Sequence, residues 1–277
     1  MVERAAEAFV PGHVTGFFSP HWADDPVRTG SIGAGLTLSD GVRVSVEPAD
    51  HAAIEIDGES VEMEPVLDVI AAFEATPVVH VDASIPIGTG FGVSGAIALG
   101  AALAMNERFE AARTENELVT IAHRAEVDAG TGLGDVVAQA HGGIPIRLEP
   151  GAPGHGLLDA IPTTTTLEYV VFDELDTATV IGGDTATIEA AGREALATLR
   201  ADPTLPTFAE VSRQFSREAD LLTDRVGETI AAVDDAGGEA FMAMLGESVV
   251  ALDSGLSDAG YDPYQCTVHP PGATIVR

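Results

Sequence analysis

Lysine is absent: all 13 basic side chains among the 277 residues are arginine. That absence excludes chemistry built on an ε-ammonium. A P-loop NTPase needs the lysine of its Walker A motif, and pyridoxal-phosphate enzymes and Schiff-base aldolases need an amine to condense with a carbonyl. Cysteine is almost as scarce. Cys266 stands alone, so there is no internal disulfide and no cysteine-built zinc site. No run of about 18 or more apolar residues occurs, which argues against a membrane-spanning helix. The first residues lack the basic flank and apolar stretch of a signal peptide, so the expectation is a cytoplasmic protein with no membrane partner.

Positive charge is the third shortage. Against 13 arginines stand 44 Asp and Glu, a net charge of −31. That sign excludes nucleic acid as a partner. The acids are dispersed along the chain rather than massed in a tail. A dispersed anionic surface without lysine is expected of a halophilic cytoplasm, where the Debye length falls to about 3 Å and self-repulsion is screened. The length allows one large or two modest domains with buried cores.

What is abundant is glycine, and its densest cluster organises the chain. Gly88, Gly90, Gly92 and Gly95 fall within Pro86–Asn106, PIGTGFGVSGAIALGAALAMN. Ser94 to Met105 is apolar on nearly every face and reads as a buried helix. A glycine loop emptying into a helix N-terminus offers unpaired N–H groups and partial positive charge, which suit phosphate. Three readings compete: a structural turn, a dinucleotide loop and a phosphate loop outside the Walker class. Gly90 to Gly95 satisfies G-x-G-x-x-G, but the preceding strand, Pro77 to Asp82, is separated from it by Ala83 to Thr89. A dinucleotide fingerprint follows its strand directly.

Elsewhere, Ala5 to Ser19 reads as a strand with a turn or bulge at Pro11-Gly12. His21 to Gly35 reads as a loop, Leu36 to Ile56 as strands, and Met63 to Ala75 as a packing helix. Thr114 and Glu117 form a capping-box pattern for a helix over Glu115–Asp128. After a glycine break, Asp135 opens a short helix that ends at Gly142-Gly143, and Ile144 to Leu148 is a strand carrying Arg147. Pro150 to Pro162 is a candidate linker, followed by the strand LEYVVF. Helices are expected over Asp184–Leu199, Phe208–Leu222 and Glu239–Leu252, with strands at Cys266–His269 and Ala273–Val276.

The run from Pro86 to Gly95 resembles the second motif of the GHMP kinases (galactokinase, homoserine kinase, mevalonate kinase and phosphomevalonate kinase), usually P-x-G-x-G-L-G-S-S-A. Val93 stands where the first serine is usual, and Ser94 keeps the second. Pro11-Gly12-His13-Val14 resembles the first motif, with His13 at the usual lysine. Glu126, eight intervening residues and Asp135, followed by Gly142-Gly143, resemble the segment that carries a Mg²⁺-binding glutamate and an acceptor-facing aspartate. Ala243 to Ser248 is the nearest counterpart of the third motif, with Met244 and Leu245 read as core. Gly12 to Gly35 is similar to the matching segment of the archaeal pantoate kinase branch.

The resemblance implies an α/β GHMP kinase fold: a ribosomal-S5-like N-terminal domain over residues 1–155 and a ferredoxin-like C-terminal domain over 156–277. It implies ATP and Mg²⁺ as cofactors. Gly88, Gly90, Gly92, Val93, Ser94 and Gly95 would bind the phosphates, and Ser94 and Glu126 the metal. Asp135 and Glu126 would be catalytic, with Asp135 at the acceptor hydroxyl. Pantoate is the implied substrate; its carboxylate needs an arginine, Arg28 or Arg147, with His13 and His123 as further contacts. Mevalonate, homoserine and a non-catalytic nucleotide-binding regulator remain as alternatives, and a homodimer stays open.

Overall fold

A computed structural model describes residues 6–173 and 185–276. Strands β1 (Ala6–His21) and β2 (Gly30–Pro48) form a long antiparallel ladder, from Ala6↔Val46 to His21↔Gly30. The interruption expected at Pro11-Gly12 is a bulge within one continuous strand, with register shifts between Pro11 and His13 and between Thr15 and Phe17. Proline has no N–H for the ladder, so the strand yields there without ending. Just past the bulge, His13 is fully buried and its backbone N–H donates to the Phe91 carbonyl at 2.9 Å. The segment expected to be a loop as far as Gly35 is already β2 from Gly30. Its small residues are poor strand formers alone, and pairing on both sides overrides that weak preference.

The first sheet adds β3 (Ala53–Ile56), β4 (Glu59–Val61), β5 (Pro77–Ala83) and β12 (Thr274–Val276) in the order β12-β1-β2-β5-β3-β4. Strand β6 (Ile144–Glu149) pairs with β2 and with β7 (Leu157–Ile161). The segment expected to be a linker therefore contains a sheet strand. Helix α1 (Glu64–Ala72) and helix α3 (Glu115–Ala129) flank α2 (Val93–Arg108), which packs on β1 and β2. Ile97, Leu99 and Met105 of α2 are fully buried, each contributing about 1.5–3 kcal/mol of apolar transfer. The capping box of α3 is present: the Glu117 carboxylate accepts from the Thr114 N–H at 2.7 Å, and Thr114 Oγ1 from the Glu117 N–H at 3.4 Å. The short helix α4 (Asp135–His141) follows.

A second sheet has the order β11 (Tyr264–Thr267), β8 (Thr166–Asp173), β10 (Glu247–Leu252), β9 (Ala240–Ala243). With it go α5 (Ala186–Ala201), α6 (Leu205–Glu218), α7 (Asp224–Asp235) and α8 (Gly255–Asp258). Phe208 and Phe215 of α6 meet Phe17 of β1 at ring separations of 6.4 and 6.5 Å, so one core runs under both sheets. Among the described residues no helix is long and apolar enough to cross a membrane.

The helix expected over Glu239–Leu252 is instead the β9–β10 hairpin. AFMAMLGESVVAL is apolar at nearly every position, a pattern equally suited to buried strands. Gly246 decides it. Its N–H closes a turn onto the Ala243 carbonyl at 3.3 Å, and Leu245 takes a φ of 65°. Helix α7 was not anticipated, although Thr223 caps it and Val226, Ile230 and Val233 follow helical spacing on its buried face. The expected element starts at Ala5 and Asp184 lie outside the described residues.

Candidate active site

The start of α2, the end of α3, the start of α4 and strand β6 converge on a cleft of about 490 Å³. Its lining includes Gly88, Gly90, Gly92, Val93, Ser94, Gly95, Glu126, Asp135 and Arg147. Gly92 is the N-cap of α2 at φ 61°, a left-handed position that favours glycine, and no side-chain cap bond forms there among the described residues. The N–H groups of the first turn are thus left for a ligand. From the second sheet, the β9–β10 turn braces this loop. Ser248 Oγ donates to the Thr89 carbonyl at 3.0 Å, and a Cβ on Gly246 would lie 1.9 Å from that same oxygen. Met244 and Leu245 line the cleft, so they are both core and wall.

Ser94 Oγ donates to Glu126 Oε1 at 2.6 Å. Burial raises the Glu126 pKa to about 7; hydrogen bonds from Ser94 and Thr131 oppose the shift, and the charge of Asp135 adds to it. The carboxyl is therefore held near the balance between its two forms. The pair offers one hydroxyl and one carboxylate. No cluster of three or more acidic, histidine or cysteine side chains suited to a metal occurs among the described residues. That donor set fits Mg²⁺, which takes one or two carboxylates and completes its sphere with water and substrate phosphate. It does not fit a dedicated all-protein cage.

Asp135 opens α4, with its side chain 26% exposed to the cleft. Buried His13 reaches it from β1: Nδ1–H donates to Asp135 Oδ1 at 2.6 Å. Burial keeps the His13 pKa below its ordinary value despite the carboxylate, with Arg147 adding to the effect, so the imidazole donates as a neutral ring. Burial pushes the Asp135 pKa up, but the His13 hydrogen bond and the charge of Arg147 outweigh it and hold the carboxyl below its usual range. Asp135 is a carboxylate with Oδ1 held by His13 and part of its side chain exposed.

Arg147 comes to the same place because β6 pairs with β2, Gly33 opposite Arg147. It is buried; its Nε donates to the Ser31 carbonyl at 3.3 Å, and Nη1 has no partner among the described residues. An Arg guanidinium stays charged even where burial lowers its pKa, as here. A buried cation with a free donor, lining a cleft, is built to receive an anion.

The structure separates the two arginine candidates. Arg28 is exposed in a surface turn, its backbone N–H bonded to the Asp25 carbonyl at 2.9 Å, and it does not line the cleft. In the sequence both lie beside motifs; only the strand pairing distinguishes them. His123 does not line the cleft either. It is buried, with Nε2 at 2.9 Å from the Thr29 carbonyl, where it supports the segment leading into β2. Sequence reasoning missed Gln139, which is fully buried and donates from Nε2 to the Gly92 carbonyl at 2.8 Å. Its position one helical turn after Asp135 was the available signal.

Residues 63–143 match the family described as GHMP kinases N terminal domain. The chain is 35% identical to a pantoate kinase of Thermococcus kodakarensis, covering 88% of this chain and 86% of that one. It is 30% identical to a pantoate kinase of Methanospirillum hungatei, covering 97% and 96%. A solved structure titled as a phosphotransferase related to the CoA biosynthesis pathway superposes with a TM-score of 0.89 at 29% identity, over 99% of each chain.

Proposed function

The chain belongs to the pantoate kinases of the GHMP superfamily, and we propose that the cleft described above is where it transfers the γ-phosphoryl group of ATP to the 4-hydroxyl of pantoate, a step of coenzyme A synthesis. It is an ATP-dependent kinase. The observation that carries the site reading is the meeting of the part-exposed Asp135 carboxylate and an Arg147 guanidinium nitrogen that has no partner among the described residues, beside one helix N-terminus. A substrate with a carboxylate at one end and a hydroxyl at the other has its two handles there.

Phosphoryl transfer asks a protein chiefly for position and charge. The backbone of Gly88 to Gly95 and the α2 N-terminus would cradle the triphosphate. Ser94 and Glu126 would hold Mg²⁺, which when bound neutralises charge on the phosphates. Arg147 would clamp the pantoate carboxylate. Asp135 would accept a hydrogen bond from the acceptor hydroxyl through its free oxygen, while His13 fixes the other. With its pKa held low, Asp135 is a weak base before the transition state. Its main contribution is orientation, with the proton passing to it as the hydroxyl loses density. The division into units over 1–155 and 156–277 belongs to the same proposal, although β7 and β12 rejoin the first sheet.

ATP turnover measured against pantoate, mevalonate and homoserine tests the substrate assignment. Pantoate should be strongly preferred, and equal rates with the others would overturn it. Glu126→Gln should weaken the Mg²⁺ dependence of turnover by at least about tenfold, since even residues behind a metal ligand commonly count for that much. An unchanged Mg²⁺ titration would remove Glu126 from the metal site.

The composition adds a cytoplasm of high salt to the proposal. At −31 the chain repels itself, and the screening length shrinks from about 10 Å at 0.1 M to about 3 Å at 1 M salt. The thermal midpoint without ligand should rise steeply over that range of KCl. A flat or falling midpoint would refute the halophilic reading.

A further inference from the structure

We infer that Gln139 is a positioning residue for phosphoryl transfer, tying the first turn of the phosphate-loop helix to the helix that carries Asp135. The inference rests on the cleft reading above. Asp135 and Gln139 are four residues apart on α4 and leave the same face. The Gln139 amide donates 2.8 Å to the carbonyl of Gly92. That carbonyl also accepts the first helical bond of α2, from the Ala96 N–H at 3.0 Å, so Gln139 takes its second lone pair. The joint has little slack. A Cβ on Gly92 would lie 3.1 Å from Gln139 Nε2 and 3.2 Å from Asp135 Oδ1, and one on Gly95 would lie 3.2 Å from Gln139 Oε1. Gln139 is also held from behind, its own carbonyl accepting from the Ala273 N–H at 2.8 Å.

Gln139 carries an unpaired atom in this position. Its Oε1 is buried without a partner among the described residues. Such an acceptor is unfavourable, and methionine would fill similar space without it. Packing alone therefore does not account for glutamine here; the amide N–H on Gly92 does. Gln139 does not line the cleft, so it acts through the loop and Asp135 rather than on substrate. What it sets is the separation between the N–H groups assigned to phosphate and the carboxylate assigned to the acceptor. In-line transfer is sensitive to that separation, a misplacement of about 1 Å costing on the order of 100-fold.

Gln139→Met keeps the length and removes the donor. Its kcat should fall at least about tenfold, with the thermal midpoint unchanged or higher and binding of a fluorescent ATP analogue unchanged. Added to Asp135→Asn, it should cost no further activity, because the group it places is already gone. Full kcat in Gln139→Met, a loss matched by lost analogue binding, or an equal loss in both backgrounds overturns the inference and leaves the cleft reading standing. That reading fails separately if Asp135→Asn alone turns over pantoate at the wild-type rate. If Gln139→Met does not fold, Gln139→Asn, one methylene short of Gly92, is judged by the same criteria.

Discussion

Asp135→Asn is expected to lower kcat by about a hundredfold or more, with little change in nucleotide affinity. The substitution keeps the shape and removes the negative charge. Asparagine can still accept from His13 or from the substrate hydroxyl, but it takes no proton and gives no anionic support as the hydroxyl is phosphorylated. Loss of the charge also weakens the hydrogen bond from His13, whose Nδ1–H meets Asp135 at 2.6 Å. Because the affected interaction grows in the transition state, the loss should appear in kcat and in kcat/KM alike. Steady-state kinetics with pantoate varied at saturating ATP measures it. Wild-type kcat in the variant would remove Asp135 from the acceptor position.

Arg147→Ala should raise the KM for pantoate by about tenfold to a hundredfold, corresponding to the roughly 1.5–3 kcal/mol of a charge-assisted hydrogen bond. The KM for ATP should move far less, since the phosphate loop does not depend on this side chain. A second consequence follows from charge. Arg147 helps hold the Asp135 pKa down, so without it the carboxyl rises toward its ordinary range. A thermal midpoint recorded alongside separates substrate loss from the packing defect left by removing a buried side chain. An unchanged pantoate KM would move the carboxylate site elsewhere.

The parts of the site that lie on one local stretch were legible in the sequence. The glycine loop and α2 are visible because a glycine cluster and an uncharged Ala-Leu run are both local in sequence. The Thr114–Glu117 box marked the start of α3 because capping is a contact between neighbours in sequence. Glu126 and Asp135 were singled out because their spacing around a glycine break resembles a GHMP kinase segment. What was not legible depends on pairing across the chain. Arg147 and Arg28 look equivalent until β6 is placed on β2 at Gly33. The β9–β10 hairpin was mistaken for a helix because a fully buried strand pair loses its alternation and keeps only its apolar character. For Gln139 the sequence offered only its place one turn after Asp135; it becomes meaningful when Gly92, 47 positions earlier, is found at its amide.

The central claim is that one cleft holds the acceptor hydroxyl against Asp135 and the carboxylate of the same molecule against Arg147. A crystal structure with pantoate and a non-hydrolysable ATP analogue tests it most directly. The account predicts the pantoate 4-hydroxyl within hydrogen-bond distance of the Asp135 oxygen not held by His13, with the carboxylate on Arg147 and the triphosphate along Gly88 to Gly95. Pantoate bound with its carboxylate away from Arg147, or with its 4-hydroxyl out of reach of Asp135, would contradict it.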